Sequence, residues 1–243
     1  MASFQQSGAA LAFRTIEELD PSIADGYRVV FDRECPFEVK SSGDDNDFNF
    51  GATGVGDGSV SLEAIKVKVL VLGDESIRLE LSSEADLFFH YIHVVDEVGF
   101  RMMQESQKLM IDFAEYADVL MKMVNSCIQD PQTHIAILVL KNGRARLDFV
   151  RNIEFKFVEL LSINFVRSPD DLTQKHITYR YNALKSRLAI MQSKLSDVHA
   201  LVKVKNPSLL LQLEAGGKPR TSKSKSSFSP AKAHRVSFGH GHS

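Results

Sequence analysis

The sequence predicts an α+β chain, and three observations carry that reading. Short segments of alternating apolar and polar residues are punctuated by Gly/Asp/Asn turns, as strands require. Between residues 96 and 128 two stretches hold good helix formers with apolar residues at helical spacing. From residue 177 to 202 apolar side chains recur at steps of four and three, which is the seam of a pairing helix.

Residues 1 to 24 read as a flexible leader. Residues 27 to 40 are extended, with Tyr27, Val29 and Phe31 alternating, and 41 to 59 form a Gly/Asp/Asn/Ser loop. The run Val60 to Leu72 puts Ile65, Val67, Val69 and Val71 on one side, and Ser76 to Ser82 repeats the pattern after the Gly73-Asp74 turn. Leu87 to Val95, rich in aromatic and β-branched residues, predicts a further strand. Asp96 to Ser106 opens on two acids suited to a helix N-terminus. Leu109 to Phe113 is a short apolar segment, and Ala117 to Ile128 is a helix stopped by Pro131. Ile135 to Leu140 and Ala145 to Val150 flank Asn142-Gly143, the strongest local hairpin signal.

The last helix starts behind Ser168-Pro169-Asp170-Asp171, with proline near its first turn and acids at its positive end. Its seam runs Ile177, Tyr181, Leu184, Leu188, Met191, Leu195, Val198 and Val202. Such a narrow stripe suits a parallel helix pair better than a helix lying on a sheet, so a homodimer is expected.

Composition excludes several classes. At 243 residues, 44% hydrophobic and 25% charged, the chain can bury one core with appendages, and no run is long enough to cross a membrane as a helix. The opening residues lack the pattern of a secretory signal, and Cys35 and Cys127, far apart, make neither a disulfide framework nor half a zinc site, so a reduced intracellular compartment is expected. The net charge of -2 is unevenly spread. From Lys203 onward eight basic residues stand against Glu214 alone, and this Lys/Ser-rich tail predicts a disordered basic appendage.

Nothing in the chain has the pattern of a catalytic or metal site. Asp45, Asp47 and Asn49 begin like a calcium loop, but Phe50 stands where the turn needs glycine. Glycines 51, 54, 56 and 58 lack the lysine and flanking helix of a phosphate cradle. His90 and His93 are three apart in a strand and would face opposite ways, and no carboxylate pair lies in surroundings apolar enough to raise a pKa. No enzyme, metal or cofactor is expected. Arg235, Val236 and Phe238 match the basic-Val-x-Phe pattern by which short tails dock protein phosphatase one.

One apolar residue has no evident home. Between Phe149 and Phe165 two strand-like segments are joined by a polar tip ending on Phe155, and a large aromatic at a hairpin tip cannot easily reach its own core. Burial in another molecule is expected, with Asn152, Ile153, Glu154 and Lys156 around it.

The order of elements resembles the head domain of the spindle-assembly-abnormal family of centriolar cartwheel proteins. The carrying stretches are Asp86-Leu-Phe-Phe-His-Tyr91, Phe100, Gln107-Lys-Leu-Met-Ile-Asp-Phe113 with Tyr116, and Phe155-Lys-Phe-Val-Glu-Leu-Leu-Ser-Ile163. Leu87, Ala117 and Leu160 stand where that family carries proline, proline and histidine.

The resemblance, over roughly residues 60 to 200, implies a small antiparallel β-barrel or sandwich head with an inserted helical hairpin, followed by a short coiled-coil helix. The implied organisation is a leader over 1-24, a head over 25-167, a dimerisation helix over 168-204 and a basic tail over 205-243. It also implies that Phe155 enters a pocket on a second head. Heptads ending near Val202 fit the family's short paralogues, associated with flagellar and apical structures of protists. The implied function is a self-assembling scaffold of the centriole, basal body, flagellum or apical complex, in the cytoplasmic cytoskeleton. Its partners would be copies of itself, other centriolar or axonemal proteins, and microtubules through the basic tail. A DNA end-joining scaffold of the same superfamily is the alternative.

Overall fold

A computed structural model describes residues 18-41, 60-206 and 208. The chain divides into two compact units, residues 1-190 and 191-243. In the first unit, seven strands form a closed barrel: β1 (Arg28–Ser41), β2 (Val60–Leu72), β3 (Ser76–Ser83), β4 (His90–Asp96), β5 (His134–Lys141), β6 (Arg144–Ile153) and β7 (Lys156–Arg167). The order is β1-β2-β3-β4-β7-β6-β5, closed by a parallel pairing of β5 with β1, while every other pair is antiparallel. Closure removes the free sheet edges that would otherwise template aggregation.

The inward residues come from the period-two pattern. Ile65, Val67 and Val69 of β2 face Leu79 and Leu81 of β3, and Leu138, Leu147, Phe149, Ile163 and Phe165 fill the other side, all buried. In β1 the alternation breaks at a register shift between Val29 and Phe31, after which Phe31, Cys35, Phe37 and Val39 point inward. Asn142 and Gly143, both at positive φ, make the turn between β5 and β6.

Two helices are inserted between β4 and β5: α1 (Glu97–Gln107) and α2 (Phe113–Gln129). The Asp96 carboxylate accepts from Gly99 N–H to cap α1, and Asp112 with Glu115 forms a capping box on α2. That box starts α2 four residues earlier than apolar spacing alone predicts. The helix buries Tyr116, Leu120, Val124 and Cys127, and Phe100 of α1 packs its ring 4.9 Å from that of Tyr116. Cys127 and Cys35, far apart in sequence, meet in this core as free buried thiols, and the neighbouring Cys127 together with burial pushes the Cys35 thiol up.

Two further expectations are corrected. Residues 87-89 do not belong to a strand: Asp86 accepts from Phe88 N–H at 2.9 Å through its side chain and from Phe89 N–H at 3.1 Å through its carbonyl, which turns the chain before β4 begins. The end of the expected leader is ordered, since Pro21–Ile23 form a 3-10 turn with Asp20 and Ser22 buried. Lys68 Nζ donates to Asp20 Oδ2 at 2.6 Å and to Ser22 Oγ at 2.9 Å, and that pairing holds the segment against β2.

The long helix α3 spans Asp170–Lys205. Within the first unit its Thr173, His176 and Ala183 are buried, while Tyr181, Leu184 and Leu188 are exposed. In the second unit Met191, Leu195 and Val198 are exposed, and Val202 is half-buried. The calcium-like triad, the glycine cluster and the Arg235/Val236/Phe238 motif lie outside the described residues.

Candidate self-assembly site

The tip joining β6 to β7 is built by an unusual local turn. Ile153 pairs with Lys156, so the two residues Glu154 and Phe155 reverse the chain, with Glu154 at φ 41 and Phe155 N–H donating back to the Ile153 carbonyl. A non-glycine residue in the left-handed region is strained, and such strain is kept where the geometry matters. Its effect is to throw Phe155 outward: the side chain is 95% exposed. Ile153 and Phe157 flank it, each about half exposed, which makes an apolar tip. The base of the hairpin is held by Asn152 N–H donating to the Thr133 carbonyl at 2.8 Å. Asn152 is half-buried by that anchoring, whereas Glu154 and Lys156 are exposed beside the aromatic ring.

Near the same end of the barrel lies an open apolar cavity of about 140 Å³. Val119, Lys122, Met123, Ser126 and Cys127 of α2 line one side, and His134, Phe149, Val150 and Leu160 line the other. Strand register fixes the proximity, because His134 pairs with Arg151, and Asn152 with Phe157, between cavity and tip. A cavity of roughly 150 Å³ lined by apolar groups holds a benzene ring, so this one matches a phenylalanine side chain. Sequence reasoning identifies Phe155 but none of the cavity residues, which come from four elements. Their sequence trace is the helical spacing of Val119, Met123 and Cys127.

A second grouping also escapes the sequence. Glu80 on β3, His90 on β4 and His176 on α3 bring their ligand-type atoms within 4.8 Å of one another, all three side chains buried. The spacing of His90 to His93 argues against ligation, yet the partners of His90 lie elsewhere in the chain. Burial pushes the Glu80 carboxyl up, an effect of the closed barrel that the expectation about carboxylate pairs did not address.

The family model of the centriolar protein SAS N-terminal domain matches residues 29-165. The spindle assembly abnormal protein 6 homologs of Gallus gallus and Danio rerio are 25% and 24% identical over 130 residues, half of this chain. The chain spans only about a fifth of their length, 20% and 21%. Among solved structures, an N-terminal fragment of Leishmania SAS-6 with parts of its coiled coil aligns at TM-score 0.61 and 14% identity, covering 77% of this chain and 99% of that one. A Drosophila melanogaster Sas-6 fragment, dimerised via its coiled-coil domain, aligns at TM-score 0.61 and 15% identity, covering 81% and 93%. These structures share the fold, and the family model's match over residues 29-165, more than half of the chain and spanning both the hairpin and the inserted helices, identifies the chain as a member of the centriolar SAS N-terminal domain family.

Proposed function

We propose that the chain is a non-enzymatic, self-assembling scaffold of the centriolar type, in which two different contacts join its copies. In the first, Phe155 of one copy enters the cavity between α2 and β5-β7 of another, and the second copy returns the contact. A donor and an acceptor at the same end of one barrel suit such an isologous two-fold interface. In the second, the apolar seam of α3 pairs with its counterpart. Two distinct two-fold contacts on one chain generate a ring or a filament according to the angle between them. The single observation that carries this reading is the 95% exposure of Phe155 on a strained tip beside an apolar cavity of matching size.

Burying one phenylalanine contributes about 1.5 to 3 kcal/mol, much of it offset by lost freedom of motion. The head contact is therefore weak alone and becomes effective when helix pairing makes each unit bivalent. We place the scaffold in the cytoskeleton, at the centriole, basal body, flagellum or apical complex, with the basic tail available to acidic surfaces such as microtubules. The centriolar relatives and the exposed seam of α3 support this placement.

The test is the mass of four forms of the 243-residue chain by light scattering. The unaltered chain should form large assemblies, Phe155→Glu a helix-paired dimer, Leu188→Glu/Leu195→Glu a head-paired dimer only at high concentration, and the triple variant a monomer. Unchanged assemblies in Phe155→Glu would remove the head contact through this tip.

A further inference from the structure

A cavity of about 630 Å³ opens between β2, β3 and the first turns of α3, and Glu80, His90 and His176 meet in its wall. We propose that these three side chains bind a divalent cation of the zinc class, with the fourth position open to the cavity.

The donor set comes first. Two imidazoles and one carboxylate from three different elements are a familiar three-ligand arrangement for zinc with an open position. The ligand atoms lie within 4.8 Å of one another. Bonds of about 2.0 to 2.2 Å in tetrahedral geometry would set them roughly 3.3 Å apart, so ligation needs an inward movement of about 1.5 Å, the scale of a side-chain rotation.

Orientation comes second. His90 Nδ1 lies 2.7 Å from Ser168 Oγ, and a ring that donates there keeps the Nε2 lone pair for a metal. His176 makes no hydrogen bond among the described residues. Its ring stacks on that of His90 with centroids 4.1 Å apart and an interplanar angle of 28°. His176, His90 and Glu80 are 6%, 3% and 4% exposed; His90 is bonded to Ser168 and Glu80 accepts from Ser22, which leaves His176 as the member of the group without a hydrogen bond among the described residues. Burial holds both rings in the unprotonated form that ligation needs.

Charge selects the ion. Lys68, Arg78 and Arg180 also face the cluster. Lys68 is paired with Asp20 at 2.6 Å, Arg78 with Asp25 at 3.2 Å and, more loosely, with Glu80 itself at 4.0 Å, while Arg180 donates to the carbonyls of Ser83 and Leu87, each at 2.9 Å. A single carboxylate among these cations is poor for calcium or magnesium, which need several oxygens, whereas imidazole nitrogen favours zinc and its transition-metal neighbours. The bound ion would tie the start of α3 to β3 and β4, and through the 2.6 Å hydrogen bond from Ser22 to Glu80 it would also engage the N-terminal turn.

The experiment uses the full chain after chelator treatment, titrated with zinc and with cobalt(II). One equivalent of cobalt should give the visible bands of a tetrahedral site. Free zinc at a hundred times Kd should raise the melting temperature by about 5 to 10 °C. His176→Gln and Glu80→Gln should each weaken binding at least tenfold, with folding in chelator checked by circular dichroism so that either variant can decide. Replacing His234, His240 and His242 with alanine should change nothing. No cobalt spectrum, a cobalt-thiolate band from Cys35 and Cys127, or binding lost only with the tail histidines would each overturn the site.

Discussion

The side-chain amide of Gln107 closes two hydrogen bonds on the backbone of Ser162, donating from Nε2 to the carbonyl and accepting at Oε1 from the N–H, both at 2.8 Å. β4 and β7 pair at only two positions, Tyr91 with Arg167 and Ile92 with Val166, so β7 runs on past the end of β4 with backbone groups unclaimed. The last residue of α1 supplies the missing partner. Gln107→Ala should therefore cost about 1 to 3 kcal/mol, because it leaves a partly buried N–H and C=O unpaired. A thermal scan should show a loss of roughly 2 to 10 °C.

That bond also shows what the sequence could and could not disclose. Gln107 and Ser162 belong to two of the stretches that carry the family resemblance, yet nothing in either reports that they touch across 55 residues. Stretches in which apolar and polar residues alternate, such as 65-69 and 77-81, were readable because an apolar residue's face follows from its parity. The Asn142-Gly143 turn was readable because its backbone demands those residues. Turns set by one side chain were not: Asp86 delays the start of a predicted strand and Asp112 extends a predicted helix. The Phe155 tip was visible as an apolar residue without a home. Its receiving cavity and the Glu80/His90/His176 group were not, because residues from several elements meet only after the barrel closes.

His93 offers a test by pH. Its Nδ1 lies 2.7 Å from the Asn164 carbonyl, so that nitrogen carries the proton, and Nε2 is enclosed without a hydrogen-bond partner among the described residues. Burial lowers the pKa below the ordinary 6.5, although the bond to Asn164 pulls the other way. The unfolded chain then takes up the proton first as pH falls. This contribution to stability is whole above about pH 6.5 and shrinks below it. Urea midpoints measured from pH 7.5 to 5 should fall less steeply in His93→Gln than in the unaltered chain, and equal slopes would contradict this assignment.

Glu154 should govern how Phe155 is presented. Glycine adopts φ 41 without strain, so Glu154→Gly should keep both stability and association within about 1 kcal/mol. Proline fixes φ near -65° and cannot make this turn. Glu154→Pro should redirect Phe155 and lower association by about tenfold or more, with the barrel still folded by circular dichroism.

The seam of α3 is exposed at Leu188 and Leu195 and should be buried only by pairing. Glutamate at both positions sets like charges against each other in an apolar interface, which costs several kcal/mol. In a Phe155→Glu background, sedimentation should show the dimer dissociating at concentrations about a thousandfold higher than before, so the chain is monomeric in ordinary solution.

Phe155 is best tested where helix pairing has been removed, in the Leu188→Glu/Leu195→Glu form of the 243-residue chain, because only the head contact then remains. Truncation at the centre of a small interface concentrates the loss, so Phe155→Ala should weaken association by about 2 to 4 kcal/mol, or roughly 30- to 1,000-fold. Phe155→Glu should weaken it further, since a carboxylate must shed its water to enter a cavity lined by Met123, Phe149 and Leu160. Met123→Glu should reproduce the defect from the receiving side. The melting temperature of the two Phe155 variants should stay within about 2 °C, because a side chain that is 95% exposed holds up little of its own barrel. A large drop in stability would make Phe155 part of the fold, and unchanged association would mean that the heads meet through another surface.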